Sequence, residues 1–219
     1  MILRRPALAI FTLALFLLFI SAAATATTIA EARQLPLGTV VTVDGSVTVP
    51  SGAFAASTFD QGFGIQDETA GIYVSTAENP QLNFHRLVRV TGTLDDDGFG
   101  LLVIRPQSLD DIETLGGAVR IEPEMQSTGN ISEATEGDLV EVTGAVTRIT
   151  DDLPFGYSVF IDDGSGETQV FIPATTGVNP FNLGFVTIGA TVRAIGYSGQ
   201  FRAQYEVLPR FGGDLLPAP

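Results

Sequence analysis

Few side chains in this sequence could make or break a covalent bond. Hydrolysis by a general base or a metal ion needs a histidine or a converging set of carboxylates. The one histidine, His85, falls in a connection between two strand-like stretches, and the matching place in the second half of the chain has none. Ser165 sits in Gly164-Ser165-Gly166. A nucleophile elbow needs G-x-S-x-G, a histidine partner and an α/β scaffold, so this segment reads as a tight turn. There is no cysteine, which excludes thiol chemistry and thiolate metal sites. Two acidic runs, Asp95-Asp96-Asp97-Gly98 and Asp162-Asp163-Gly164 with Glu167, crowd hard oxygen ligands of the kind Ca²⁺ takes. Neither has EF-hand spacing, and Asp and Gly are also the residues that hairpin turns demand. The expectation is no catalytic residue, no resident metal and no cofactor.

What the sequence does offer is residues that can hold a ligand. Tyr73 stands between Ile72 and Val74, and Phe171 between Val170 and Ile172. Strand alternation then turns each aromatic away from the core. Rings placed so can stack on bases or sugar rings. Arg89 and Arg193, beside Val88 and Val192, recur at matching positions and point outward as well. One aromatic and one arginine per half is a minimal polymer-binding set, with single-stranded nucleic acid or an oligosaccharide as ligand. Tyr157, Phe160, Arg202 and Tyr205 would extend the surface of the second half. The competing reading buries Tyr73 and Phe171 under a loop or at a contact between the halves, and pairs the arginines with nearby Asp and Glu.

The elements that must position these residues come as a duplication. Leu37-Gly38-Thr39-Val40-Val41-Thr42-Val43-Asp44-Gly45-Ser46-Val47-Thr48 resembles Glu136-Gly137-Asp138-Leu139-Val140-Glu141-Val142-Thr143-Gly144-Ala145-Val146-Thr147. Four further segments follow in the same order with drifting offsets: Ile65-Gln66-Asp67 with Ile161-Asp162-Asp163, Ile72 to Val74 with Val170 to Ile172, Val88 to Gly92 with Val192 to Gly196, and Ile104 to Pro106 with Val207 to Pro209. Val41, Val43, Gly45, Val47 and Val49 alternate with polar residues, the period of a half-buried strand. The glycine in its middle marks a bend or bulge that lets one long first strand serve both halves of a closed sheet. Each repeat then runs strand, strand, tight turn, strand, long connection, strand, turn, strand. That is the order of the OB fold, a five-stranded Greek-key barrel. The expected organisation is all-β: a signal peptide over 1–26, a first barrel over 27–116, an extended connector over 117–130 and a second barrel over 131–219.

Arg4 and Arg5, an apolar run from Ala7 to Ile20 and the cleavage-like Ala24-Thr25-Ala26 read as an export signal. The apolar run is shorter than a spanning helix needs, so no membrane insertion is expected after cleavage. Cleavage after Ala26 leaves nine arginines, no lysine and 25 acidic residues, a net charge of −16. Such a chain repels polyanions, which argues against tight nonspecific binding to nucleic acid.

The run Val43-x-Gly45-x-Val47, then Gly64-Ile65-Gln66-Asp67-x-x-x-Gly71-Ile72-Tyr73-Val74, then Val88-x-Val90-x-Gly92, resembles the tandem OB-fold modules of secreted bacterial nucleases. In the second half Ile131-Ser132-Glu133-Ala134, Glu136-Gly137-x-Leu139-Val140-x-Val142-x-Gly144, the turn at Asp162 to Gly166 and the ending Leu208-Pro209-Arg210 carry the same resemblance. It implies the fold and contact with DNA, RNA or another extracellular polymer. It implies no catalytic residue, because such modules sit beside a separate catalytic domain. The functional expectation is an exported, periplasmic or extracellular, non-catalytic binding or accessory protein. The alternative is a structural module whose grooves are filled and whose partner is a protein.

Overall fold

The alternating valines after Thr39 form β1 (Val40–Val49), followed by β2 (Phe63–Gln66), β3 (Gly71–Val74), β4 (Arg86–Asp96) and β5 (Leu102–Arg105). These are seen in a computed structural model that describes residues 25–54 and 60–218. The expected signal peptide lies outside the described residues except for its last two. β1 pairs antiparallel with both β2 and β4, and the order β1-β2-β3-β5-β4 closes back on β1. β3 and β5 are the one parallel pair in that ring. This is a closed five-stranded barrel in OB order. Its core is drawn from the inward face of every strand, including Val43, Ile65, Ile72, Val90 and Ile104. The short helix α1 (Ile29–Arg33), with its Thr28–Glu31 capping box, packs Ile29 and Ala32 into the same core.

Two more strands follow: β6 (Ile112–Ala118), at the end of the stretch expected to be the first barrel, and β7 (Glu124–Gln126), inside the expected connector. β6 adds antiparallel to β4 of the first barrel, whereas β7 adds parallel to β8 of the second. The polar, glycine-rich composition concealed them because an edge strand need not alternate. The second barrel repeats the first: β8 (Leu139–Asp151), β9 (Gly156–Asp162), β10 (Thr168–Pro173), β11 (Thr191–Phe201) and β12 (Gln204–Leu208). The order β8-β9-β10-β12-β11 closes on β8. A last strand, β13 (Leu215–Pro217), lies on β11. In both barrels the register of the long first strand slips just after its mid-strand glycine, between Val47 and Val49 and between Val146 and Arg148. That bulge is the bend by which one strand serves two sides of the ring. Among the described residues no helix is long and apolar enough to cross a membrane.

Candidate functional site

In an OB barrel the ligand face is the outer side of the second and third strands with the adjoining loops. On the first barrel that is the outside of β2 and β3. Tyr73 does point outward there, since Ile72 and Val74 enter the core. It is nevertheless fully buried. Its ring stacks on Phe54 at 5.9 Å and meets Tyr197 of the second barrel edge-on at 6.1 Å. Its hydroxyl donates to Asp60 Oδ1 at 2.9 Å. Val49, Leu101, Val103 and, from the second barrel, Leu208 complete an apolar cluster around it, and Phe171 packs half-buried against the same cluster. The first barrel's face is filled by the outer side of β11 and β12. Tyr73 is therefore no platform for a ligand, because burying two large aromatic rings against a neighbour outweighs leaving them in water.

Polar contacts lock this docking. The Arg33 guanidinium donates to the Gly71 carbonyl and to Glu136 Oε1, each at 3.1 Å. The Gly71 amide donates to Asp138 Oδ1 at 2.7 Å, and the Leu139 amide to Gln66 Oε1 at 2.8 Å. Gly71 and Gly137 pass so closely that a Cβ on either would overlap the other's carbonyl group. Burial pushes the carboxyls of Glu136 and Asp138 up to about 6, against the pull of Arg33 on both and of the Gly71 amide on Asp138. Arg210, paired with Asp214, donates to the Thr48 carbonyl across the same junction.

Arg89 and Arg193 lie on β4 and β11, on the opposite wall of each ring from the β2–β3 or β9–β10 face. Arg89 makes a two-pronged pair with Asp44 at 2.7 and 2.8 Å, which raises its pKa further. Arg193 reaches Glu141 at 3.8 Å. The structure therefore does not bring Tyr73, Arg89, Phe171 and Arg193 together into one surface. The acidic runs are spent on their own turns. Asp96 Oδ1 accepts from the Gly98 amide, Asp97 Oδ1 from those of Phe99 and Leu101, and Asp162 Oδ1 from that of Gly164. Asp163 takes Thr128 and Ser165, which holds its carboxyl well below the usual range. Among the described residues no group of three or more Asp, Glu, His or Cys could hold a metal ion.

Apart from Phe171, the second barrel's equivalent face, outside β9 and β10, is not covered in this way among the described residues. Strand register sets Arg148, Phe160, Gln169 and Glu206 in one row across β8, β9, β10 and β12. The Arg148 guanidinium lies 3.6 Å above the Phe160 ring and is tied to Glu167. Behind this row runs a hydrogen-bonded chain. Gln169 Nε2 donates to Ser158 Oγ at 2.9 Å, Ser158 Oγ to Asp152 Oδ2 at 2.5 Å, and Thr150 Oγ1 to the same oxygen at 3.1 Å. Glu206 is buried at the end of the row, and burial, then the charge of Asp152, pushes its carboxyl up to about 8. Leu153 and Phe155, each more than half exposed, stand in the turn between β8 and β9. Of the four residues expected to extend this surface, Phe160 does so. Tyr157 and Tyr205 turn into the core, and Arg202 sits over Phe99 and Phe201 where the two barrels' last turns meet. Gln169 and Glu206 carried no signal as single polar residues in short strands; pairing them needs the parallel register of β10 and β12. A cleft of about 710 Å³ between Ser75–Glu78 and Arg105–Asp110 lies off this face. Its arginine is held by Asp95 and Ser75.

No family model and no curated protein matches the sequence. Among solved structures the chain is similar to a murine DNA-binding protein bound with double-stranded DNA, at 12% identity over 81% of this chain and 96% of that one, with TM-score 0.44. It is also similar to p202 HIN1 in complex with a 12-mer double-stranded DNA, at 10% identity over 80% and 89%, TM-score 0.39. Fission yeast Pot1 with single-stranded DNA matches at 10% identity over 84% and 83%, TM-score 0.37. At these values the likeness is distant, and what the chain binds has to be read from its own surface.

Proposed function

We propose that this chain is an exported, non-catalytic binding protein whose second barrel holds one extended polymer strand, single-stranded nucleic acid or oligosaccharide, while the first barrel braces it. The asymmetry of the two faces carries this reading. One is plugged by Tyr197 and Leu208, and the other presents a planar Arg148–Phe160 stack beside Gln169. Aromatic platforms of this kind contribute about 1–3 kcal/mol per stacked ring. Export is supported by the charged, apolar and small-residue order of residues 4–26.

The test is binding of the chain from Thr27 onward to labelled single-stranded DNA, RNA and an oligosaccharide panel, at low and physiological salt. Saturable binding that weakens at least tenfold in Phe160→Ala, with the melting temperature retained, is the expected result. Binding that is unaffected by Phe160→Ala overturns the assignment of the face. No binding to any polymer returns the chain to the alternative of a structural module with a protein partner, which the filled first face favours.

A further inference from the structure

Resting on that reading of the face, we infer that the row Phe160, Gln169 and Glu206, backed by Asp152, recognises a neutral, hydroxyl-rich chain: an oligosaccharide rather than a nucleic acid. Three observations point the same way. The first is charge. Asp151, Asp152, Asp162 and Glu167 stand on or around the face, and the guanidinium of its row, Arg148, is tied to Glu167. A phosphate at every nucleotide would meet this field with no free cation to neutralise it.

The second is the kind of polar group. Gln169 is anchored through Nε2 on Ser158, and Ser158 on Asp152, so the amide is held in place before a ligand arrives. Carboxyl and amide groups both accept from hydroxyls, and the amide also donates to them. Phosphate recognition would need donors in excess.

The third is Glu206. It is 8% exposed and lies beside Gln169 across the parallel register of β10 and β12, close enough to Asp152 to feel its charge. A carboxyl placed there accepts from a hydroxyl, and donates to one when protonated. The row crosses two strand spacings, roughly 10 Å, the reach of a short oligosaccharide. The apolar faces of sugar rings suit Phe160 at its end.

Calorimetric titration of the chain from Thr27 onward with cello-, xylo-, malto-, laminari- and chitohexaose, and with dT12 as the polyanion, tests this. The expected result is saturable binding of at least one neutral hexaose. That binding should weaken at least tenfold in Gln169→Ala and in Asp152→Asn and stay unchanged in Arg120→Ala, a variant remote from the face, with all variants melting as folded proteins. Binding of dT12 alone, lost in Phe160→Ala, would overturn the ligand class and leave the face standing. Hexaose binding that ignores Gln169→Ala and Asp152→Asn would overturn the row. Binding of none of the probes would take down both the row and the face.

Discussion

The two barrels carry the same triplet at the same place, Ile72-Tyr73-Val74 and Val170-Phe171-Ile172, and put it to different use. Alternation turns both aromatics out of their own barrels, but Tyr73 is fully buried and Phe171 is half-buried on the same cluster's edge. The covering groups, Tyr197 and Leu208, lie more than a hundred residues along the chain. A duplicated domain can thus give up one ligand face to dock its twin and keep the other. Strand period decides which way a side chain points; only the tertiary arrangement decides what lies on top of it.

The sharpest way to break the comparison is Tyr73→Ala against Phe171→Ala. Removing a fully buried ring from the junction should cost about 3–5 kcal/mol. The half-buried Phe171 should cost clearly less, and chemical denaturation of the two variants measures the difference. Equal losses would mean that the two faces are equally covered.

Arg33→Met probes the polar half of the same junction. It leaves Glu136, whose side chain is 1% exposed, without its partner. Stripping one member from a buried pair costs about 3–5 kcal/mol when the other stays charged. Glu136 titrates near 6 when folded, above the ordinary value of 4.5, so the folded state favours its neutral form. Stability from this group is present below about pH 4.5 and is lost as pH rises through 6. Asp138 acts in the same sense. The wild-type chain should therefore melt at a higher temperature at pH 5 than at pH 8. The Arg33→Met deficit should be small at pH 5 and large at pH 8. A deficit independent of pH would show that Arg33 acts by packing alone.

Much of the fold was legible because barrel strands are short, alternating and repeated. Val41, Val43 and Val47 against Val140, Val142 and Val146 located the two long first strands, and Gly45 and Gly144 their bends. The edge strands β6 and β7 were not legible, since Ile112–Ala118 contains two adjacent glycines and Glu124–Gln126 is three residues long. The site was less legible still. Tyr73 faces the way its strand period requires, yet the docking that buries it depends on Gly71 and Gly137 approaching backbone to backbone, and no local pattern encodes that. Phe160 was readable as an outward aromatic. Its row with Gln169 and Glu206 exists only once β10 and β12 pair in parallel.

Glu206→Gln sharpens the account of the open face without breaking the fold. Glu206 titrates near 8 when folded and near 4.5 when unfolded. Between those values the unfolded chain gives up a proton that the folded chain keeps, so wild-type stability falls over that range. Glutamine keeps the shape of the neutral acid and does not titrate. The variant should match the wild type at pH 4.5 and exceed it by about 2 kcal/mol or more at pH 8. No gain at pH 8 would mean that the Glu206 carboxyl is solvated rather than buried at the end of the row.

The smallest effect is expected from Arg89→Ala and Arg193→Ala, on the walls away from either face. Arg89 holds Asp44 with good geometry, but both side chains are about one-third exposed, and Arg193 is looser still at 3.8 Å from Glu141. Exposed pairs of this kind add little, because each charge is well solvated when apart. Neither variant should shift the melting temperature beyond experimental error, and neither should change polymer binding. A clear loss of binding in Arg193→Ala with an unchanged melt would move the ligand from the β9–β10 face to the β8–β11 wall. The two barrels would then differ in which wall works, not in which face is covered.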